Sequence, residues 1–224
     1  MNYDLIQGAI QLVSEFEEAR CEQPAYSLDV EGFKQWIADD LQAKTLPDPD
    51  WPGMDDGRSA ESAISTLLVH MNRYAKSYSK SAIHDSSFST QEDFIYLINL
   101  KAFGAMSKMD LIKKNIHEKP VGMQIINRLI SNGWIIQRNS LRDKRSKEIS
   151  ITEDGLQVLA NQMDNIRKAT QIVSGNLTNI EKMELIRLLQ KLESFHHPIY
   201  TQNMSSAELL SNAYGQINKS ISEA

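Results

Sequence analysis

Apolar residues recur at helical spacing from the first turns of the chain. Leu5, Ala9, Leu12 and Phe16 form one stripe, with Ile6, Ile10 and Val13 alongside, and predict a helix over 2–20. A second helix is predicted from Asp29 to Ala43, with Phe33, Trp36, Ile37 and Leu41 on one face. The stretch LPDPDWPGMDDG then interrupts the pattern. Its prolines, glycines and acids suit neither helix nor central strand, so 47–58 reads as a linker after an N-terminal helical extension over 1–46. Between 60 and 82, Ile64, Leu67, Leu68, Met71, Ala75 and Tyr78 share a stripe again. Capping boxes at Ser89–Glu92 and Ser107–Asp110 each precede an apolar run. Next comes EKPVGMQIINRLISNG, with Pro120 suited to a first helical turn and Gly133 to a left-handed stop. Ile125, Ile126, Leu129 and Ile130 give this helix a buried side.

Two short helices, 108–115 and 120–132, joined by about four residues fit a helix-turn-helix. After Gly133 the period changes. WIIQR and KEISIT are rich in β-branched residues, Ile149 and Ile151 alternate with Ser150 and Thr152, and the polar NSLRD lies between them. A helix-turn-helix followed by such a hairpin is the outline of a winged helix. Helical pattern returns in Leu156, Leu159, Met163, Ile166, Thr170 and Val173, close to a heptad seam. A third capping box, Thr178–Glu181, precedes Leu185, Leu188, Leu189, Leu192 and Phe195. A small module cannot cover both long stripes, so part of them is expected to face a second copy of the chain. His196 and His197 beside Pro198 read as a helix end, and the tail over 198–224 is polar, with one weak helical patch near 206–218. The expected fold is mostly α with a small β-hairpin wing, flanked by long dimerisation helices.

Composition changes this picture in one place. The chain has 224 residues, 41% of them hydrophobic and 24% charged, which is ordinary for a globular protein. No apolar run approaches the roughly 20 residues of a membrane span, and the N-terminus lacks the basic-then-apolar order of a secretory signal. The single cysteine, Cys21, excludes an intrachain disulfide and fits a reducing cytoplasm; without a positioned partner it reads as a small side chain. The net charge of −5 is uneven. From Lys101 to Lys147, eleven Lys/Arg stand against Asp110, Glu118 and Asp143, a segment of +8 that leaves −13 elsewhere. A basic island in an acidic chain points to a polyanion; the plain alternative is a solvated basic surface. The five histidines, His70, His84, His117, His196 and His197, form no metal-ligand spacing. Gly8, Gly32, Gly53 and Gly57 make no phosphate loop, and no catalytic constellation stands out. Neither metal nor cofactor nor enzymatic activity is therefore expected.

The hairpin carries a more specific signal, Asp143-x-Arg145-x-x-x-Ile149-x-Ile151-Thr152-x-x-Gly155, and RLISNGWIIQR leads into it. Both stretches resemble the wing signature of the MarR (multiple antibiotic resistance regulator) family, and the order of elements resembles that family over about 59–197. The DNA-binding part would then be 89–152. Departures lie in the recognition-helix start, where Pro120, Val121, Gly122, Met123 and Gln124 replace a Ser/Thr-rich start with an arginine, and in the extra segments at both ends.

The resemblance implies a DNA-binding regulator, more a repressor than an activator, that acts as a homodimer on a pseudo-palindrome. It also implies an unidentified small-molecule effector or oxidant that changes the spacing of the two reading heads, and an arginine, Arg145, entering the minor groove while Asp143 holds the hairpin tip. A narrow A·T minor groove favours an inserted guanidinium, and Asp143 suits loop amides better than DNA. On double-stranded DNA, Lys108, Lys113 and Lys119 suit phosphate, as do Arg142, Lys144 and Lys147 in the wing. Gln124 suits an adenine edge, and Val121 and Met123 a thymine methyl, although Met123 equally suits packing under its helix. Arg128 reaches either phosphate or an internal acid. Two other readings compete: a winged helix that has lost DNA reading and docks a protein, and an enzyme built on the N-terminal extension.

Overall fold

A computed structural model describes residues 3–22, 26–45, 49–139 and 146–222. The chain divides into two compact units, the described residues of Met1–Ala63 with Leu210–Ala224 and those of Ile64–Leu209. Among the described residues no helix is long and apolar enough to cross a membrane.

In the first unit, α1 (Tyr3–Glu22) and α2 (Val30–Thr45) pair through an aromatic cluster. Phe16 meets Phe33 edge-on at 5.3 Å between ring centroids, and Phe33 stacks on Trp36 at 6.0 Å. Asp29, expected as the first helical residue, caps α2 instead. Its Oδ1 accepts from the Gly32 amide (2.8 Å) and the Ser27 hydroxyl (2.9 Å), and those two bonds hold its carboxyl below the usual range. The segment from 49 to 58 is a folded turn in which the Trp51 indole donates to the Arg58 carbonyl at 2.8 Å. Helix α3 (Ala60–Ala82) has only its first four residues in this unit; its Ile64, Leu67, Leu68 and Met71, which belong to the second, are exposed.

The second unit holds the main core. Helices α4 (Gln91–Phe103), α5 (Lys108–Lys114) and α6 (Lys119–Ser131) precede β1 (Ile135–Asn139) and β2 (Lys147–Ile151), and α7 (Glu153–Ser174) and α8 (Asn179–Thr201) follow. The strands pair antiparallel, from Ile135 opposite Ile151 to Asn139 opposite Lys147. Ile135 and Ile149 turn inward, onto Leu97, Leu100, Leu111, Ile126, Leu129 and Trp134. A third strand position has no sequence period to announce it: Met106 bridges Ile149, exchanging bonds of 2.8 and 3.2 Å.

The Thr152-x-x-Gly155 motif has a steric cause. The Thr152 hydroxyl accepts from the Gly155 amide (3.0 Å), capping α7, and donates to the Gly133 carbonyl (2.7 Å). A Cβ on Gly155 would lie 2.3 Å from the Trp134 carbonyl oxygen, so only glycine lets α7 approach the hairpin. The Thr178–Glu181 box forms as expected, with bonds of 2.6 and 3.3 Å, and Thr178 holds the Glu181 carboxyl below its usual range. The first box is displaced by one residue from its expected position. The cap is Thr90 and the returning acid is Asp93, whose Oδ2 accepts from the Ser89 and Thr90 amides at 2.7 and 3.1 Å. Nor does α8 end at His196–His197: it runs through Pro198 to Thr201, and α9 (Ser206–Ser222) follows.

Candidate nucleic-acid interface

The helix-turn-helix is α5, a four-residue turn and α6. Its close packing rests on Gly122, where a Cβ would sit 2.4 Å from Ile112 Cγ1. The turn is tied down by polar side chains. Asn115 donates from Nδ2 to the Leu111 carbonyl (2.7 Å), and its Oδ1 accepts from Asn99 Nδ2 (2.8 Å). The His117 ring stacks on Tyr96, with Nδ1 2.8 Å from the phenol oxygen and Nε2 3.7 Å from Glu92. Burial, reinforced by Glu92 and Tyr200, pushes the Tyr96 phenol upward and keeps its proton on. The Tyr200 hydroxyl of α8 donates to the His117 carbonyl at 2.9 Å.

Helix α6 separates its residues by face. Gly122, Ile125, Ile126 and Leu129 are buried, and Pro120, Gln124, Asn127 and Ser131 form the exposed stripe opposite them. Val121 borders that stripe, exposed at 44%. The stripe carries no charge. Lys119 begins α6 and is exposed, and Lys113, also exposed, lines a cleft with it; Lys108 is half-buried at the start of α5, and Lys147 is exposed where β2 begins. Lys108, Lys113, Lys119, Val121 and Gln124 all lie on the helix-turn-helix, Lys108 half-buried and the other four exposed.

Two expected contacts lie elsewhere. Met123 is half-buried against the core, so of its two roles it takes packing. Arg128 takes the internal acid: its Nε lies 2.9 Å and its Nη2 2.5 Å from Asp93 Oδ1, and Nη2 donates to Thr90 Oγ1 at 3.1 Å. Asp93 is fully buried, and a carboxylate there needs that guanidinium. Arg128 therefore leaves the set of DNA contacts read from the sequence. Asn127 joins it. Its signal was present, an amide three residues after Gln124 and so on the same face. The wing-tip residues Arg142, Asp143, Lys144 and Arg145 lie outside the described residues.

No family model matches the sequence, and no curated protein matches it. Solved structures do match in fold. BpsR from Bordetella bronchiseptica, whose DNA binding is regulated by 6-hydroxynicotinic acid, covers 58% of this chain and 98% of its own, with a TM-score of 0.54 and 23% identity. A mutant MarR from E. coli complexed with operator DNA covers 58% of this chain and 93% of its own, with a TM-score of 0.54 and 20% identity. The transcriptional regulator SlyA covers 63% and 99%, with a TM-score of 0.57 and 18% identity. These likenesses span the other proteins almost whole and leave a large part of this chain unmatched. The chain has the winged helix-turn-helix fold of the MarR-type regulators.

Proposed function

We propose that this protein is a sequence-specific DNA-binding transcriptional regulator, a ligand-responsive repressor acting as a homodimer on a pseudo-palindromic operator. The observation that carries the reading is the uncharged exposed stripe of α6 with the exposed Lys113 and Lys119 at its N-terminal end. Such a surface divides the labour of DNA recognition. Lysines supply affinity by releasing counterions from phosphate, and neutral amides and methyls supply sequence choice at base edges. A purely solvated basic surface gives no reason for the charge to stop at the edge of one helical face.

The likeness to MarR on operator DNA and to BpsR, whose DNA binding answers to a small molecule, supports both halves of the reading. Two-fold symmetry would set paired α6 helices about 34–36 Å apart, one turn of duplex. The wing supplies the second contact: Arg145 enters the minor groove, Asp143 holds the tip, and Arg142, Lys144 and Lys147 meet phosphate.

The test is binding of the purified protein to DNA from its own promoter across a salt series. Affinity should fall steeply with salt. Arg145→Ala should weaken binding by about tenfold or more, the range of a lost arginine contact, and Cys21→Ser should leave it unchanged. Failure to bind any duplex in the absence of added ligand would overturn the proposal and favour a protein-docking winged helix.

A further inference from the structure

Three helices converge on one histidine in the turn between α5 and α6. The His117 amide donates to the Ile112 carbonyl of α5 at 3.2 Å, and its carbonyl accepts from the Tyr200 hydroxyl of α8 at 2.9 Å. Its ring stacks on Tyr96 of α4 at 5.8 Å between centroids, with Nδ1 2.8 Å from the phenol oxygen and Nε2 3.7 Å from Glu92. We propose that His117 is a positioning residue for DNA binding: its contacts set where α6 leaves the turn, and a proton taken up by its ring as duplex binds strengthens them. The inference deepens the regulatory reading above and rests on it for the DNA clause only.

The turn needs such a fixture. Ile116 is left-handed at φ +52°, and a β-branched residue stays there only where its surroundings over-determine it. Helix α6 begins at Lys119, two residues after His117, so any shift of the turn is passed along a rigid helix to Val121 and Gln124.

The ring's partners fix its protons. Tyr96 is fully buried and keeps its phenol proton. A phenol that donates to Nδ1 leaves the ring N–H on Nε2, toward Glu92. This tautomer satisfies both partners, whereas the other would turn a lone pair toward a carboxylate. A second proton makes the ring a cation, and the phenol then rotates to accept from Nδ1. The contact with Glu92 becomes an ion pair between side chains that are each 24% exposed. Histidine is the side chain that takes such a charge between pH 5 and 8.

The surrounding charges couple that proton to DNA. Lys113 of α5, Lys119 of α6, Tyr200 of α8 and Glu118 of the turn line the same cleft as His117. Asp93, next to Glu92, is matched by Arg128. In the free protein the two lysines oppose a charge on the ring. Phosphate drawn to those lysines offsets the opposition, so duplex and proton favour each other. Affinity for DNA therefore rises as pH falls.

The test measures binding of the full chain to DNA from its own promoter at pH 8 and pH 6, at fixed ionic strength. The parent's affinity should rise by about fivefold or more at the lower pH, the low end of couplings between sites. His117→Gln keeps a hydrogen-bonding amide and takes no charge; it should bind like the parent at pH 8 and lose most of the rise. Glu92→Gln, which removes the anion facing the ring, should lose most of it too. A purely structural histidine would instead lower affinity by one factor at both pH values. That result, or the parent's full rise in Glu92→Gln, would overturn the proposal. A second arm uses no DNA. Nitrogen-15 spectra of the imidazole at pH 8 should show the proton on Nε2 and an accepting Nδ1; the opposite tautomer would overturn the network. A parent with the expected tautomer that binds no duplex at either pH would refute the regulatory reading and the DNA clause, leaving the network standing.

Discussion

Arg128 shows how one residue changes its meaning when its partner becomes visible. Within the basic segment it looks like another phosphate contact, yet its guanidinium spans Asp93 and Thr90 at the start of α4. Breaking a buried ion pair leaves the surviving charge stranded, and Asp93 is fully buried. Arg128→Met should therefore destabilise the unbound protein by about 3 kcal/mol, the low end for such pairs because Arg128 is partly exposed. Urea unfolding without DNA checks this; an arginine serving only phosphate would leave the midpoint unmoved. Sequence reasoning left the two partners open because Asp93 lies 35 residues away, and neither spacing nor period links them. Ile116 is the converse case. It is exposed in the helix-turn-helix turn at φ +52°, a left-handed conformation that a β-branched side chain resists. Ile116→Asn keeps the turn and relieves roughly 1 kcal/mol of strain, which should raise the melting temperature by about 2–4 °C in a chain of this size.

At the scale of elements, most of the helix-turn-helix and wing was legible because the chain states it twice, in periodicity and in caps. The Thr178 box stands as read because only one hydroxyl–acid pair fits there. The first box slipped because Ser89–Glu92 and Thr90–Asp93 both satisfy the pattern, and burial of Asp93 decides between them. The Met106 bridge and the run of α8 through Pro198 left no signature, being set by tertiary contact. The face of α6 was half legible: Gln124 stood out, and Asn127 is added by its exposure on the same stripe. Three residues of helix rise about 4.5 Å, close to the 3.4 Å step of duplex, so the two amides can address neighbouring base pairs. With Arg128 engaged internally, that stripe has no arginine to read guanine. Selection of bound duplexes from a random library should yield half-sites with adjacent A·T pairs. Gln124→Ala and Asn127→Ala should each cost about 1–3 kcal/mol in binding and relax one of those positions. Enrichment of G·C at both positions would remove the amides from the reading face.

The whole molecule poses a question that no single element answers: what covers α8. Ile180, Met183, Leu185, Ile186, Leu188 and Leu189 are all exposed along it, and Ile64, Leu67 and Leu68 are exposed on α3. Surfaces this apolar on two helices are costly in water unless a partner covers them. A second copy of the chain is the partner that the homodimer reading supplies. Leu188→Asp combined with Leu189→Asp should then yield monomers in sedimentation while leaving the circular dichroism of the fold intact, because neither side chain contributes to the buried core. Duplex binding should fall by about a hundredfold or more, since the second head no longer arrives at high effective concentration. The salt series separates this loss from a damaged reading head. The slope of log affinity against log salt scales at about −0.9 per phosphate neutralised. A monomer on one half-site meets half the phosphates, so its slope should halve; an intact dimer with weakened contacts would keep most of it.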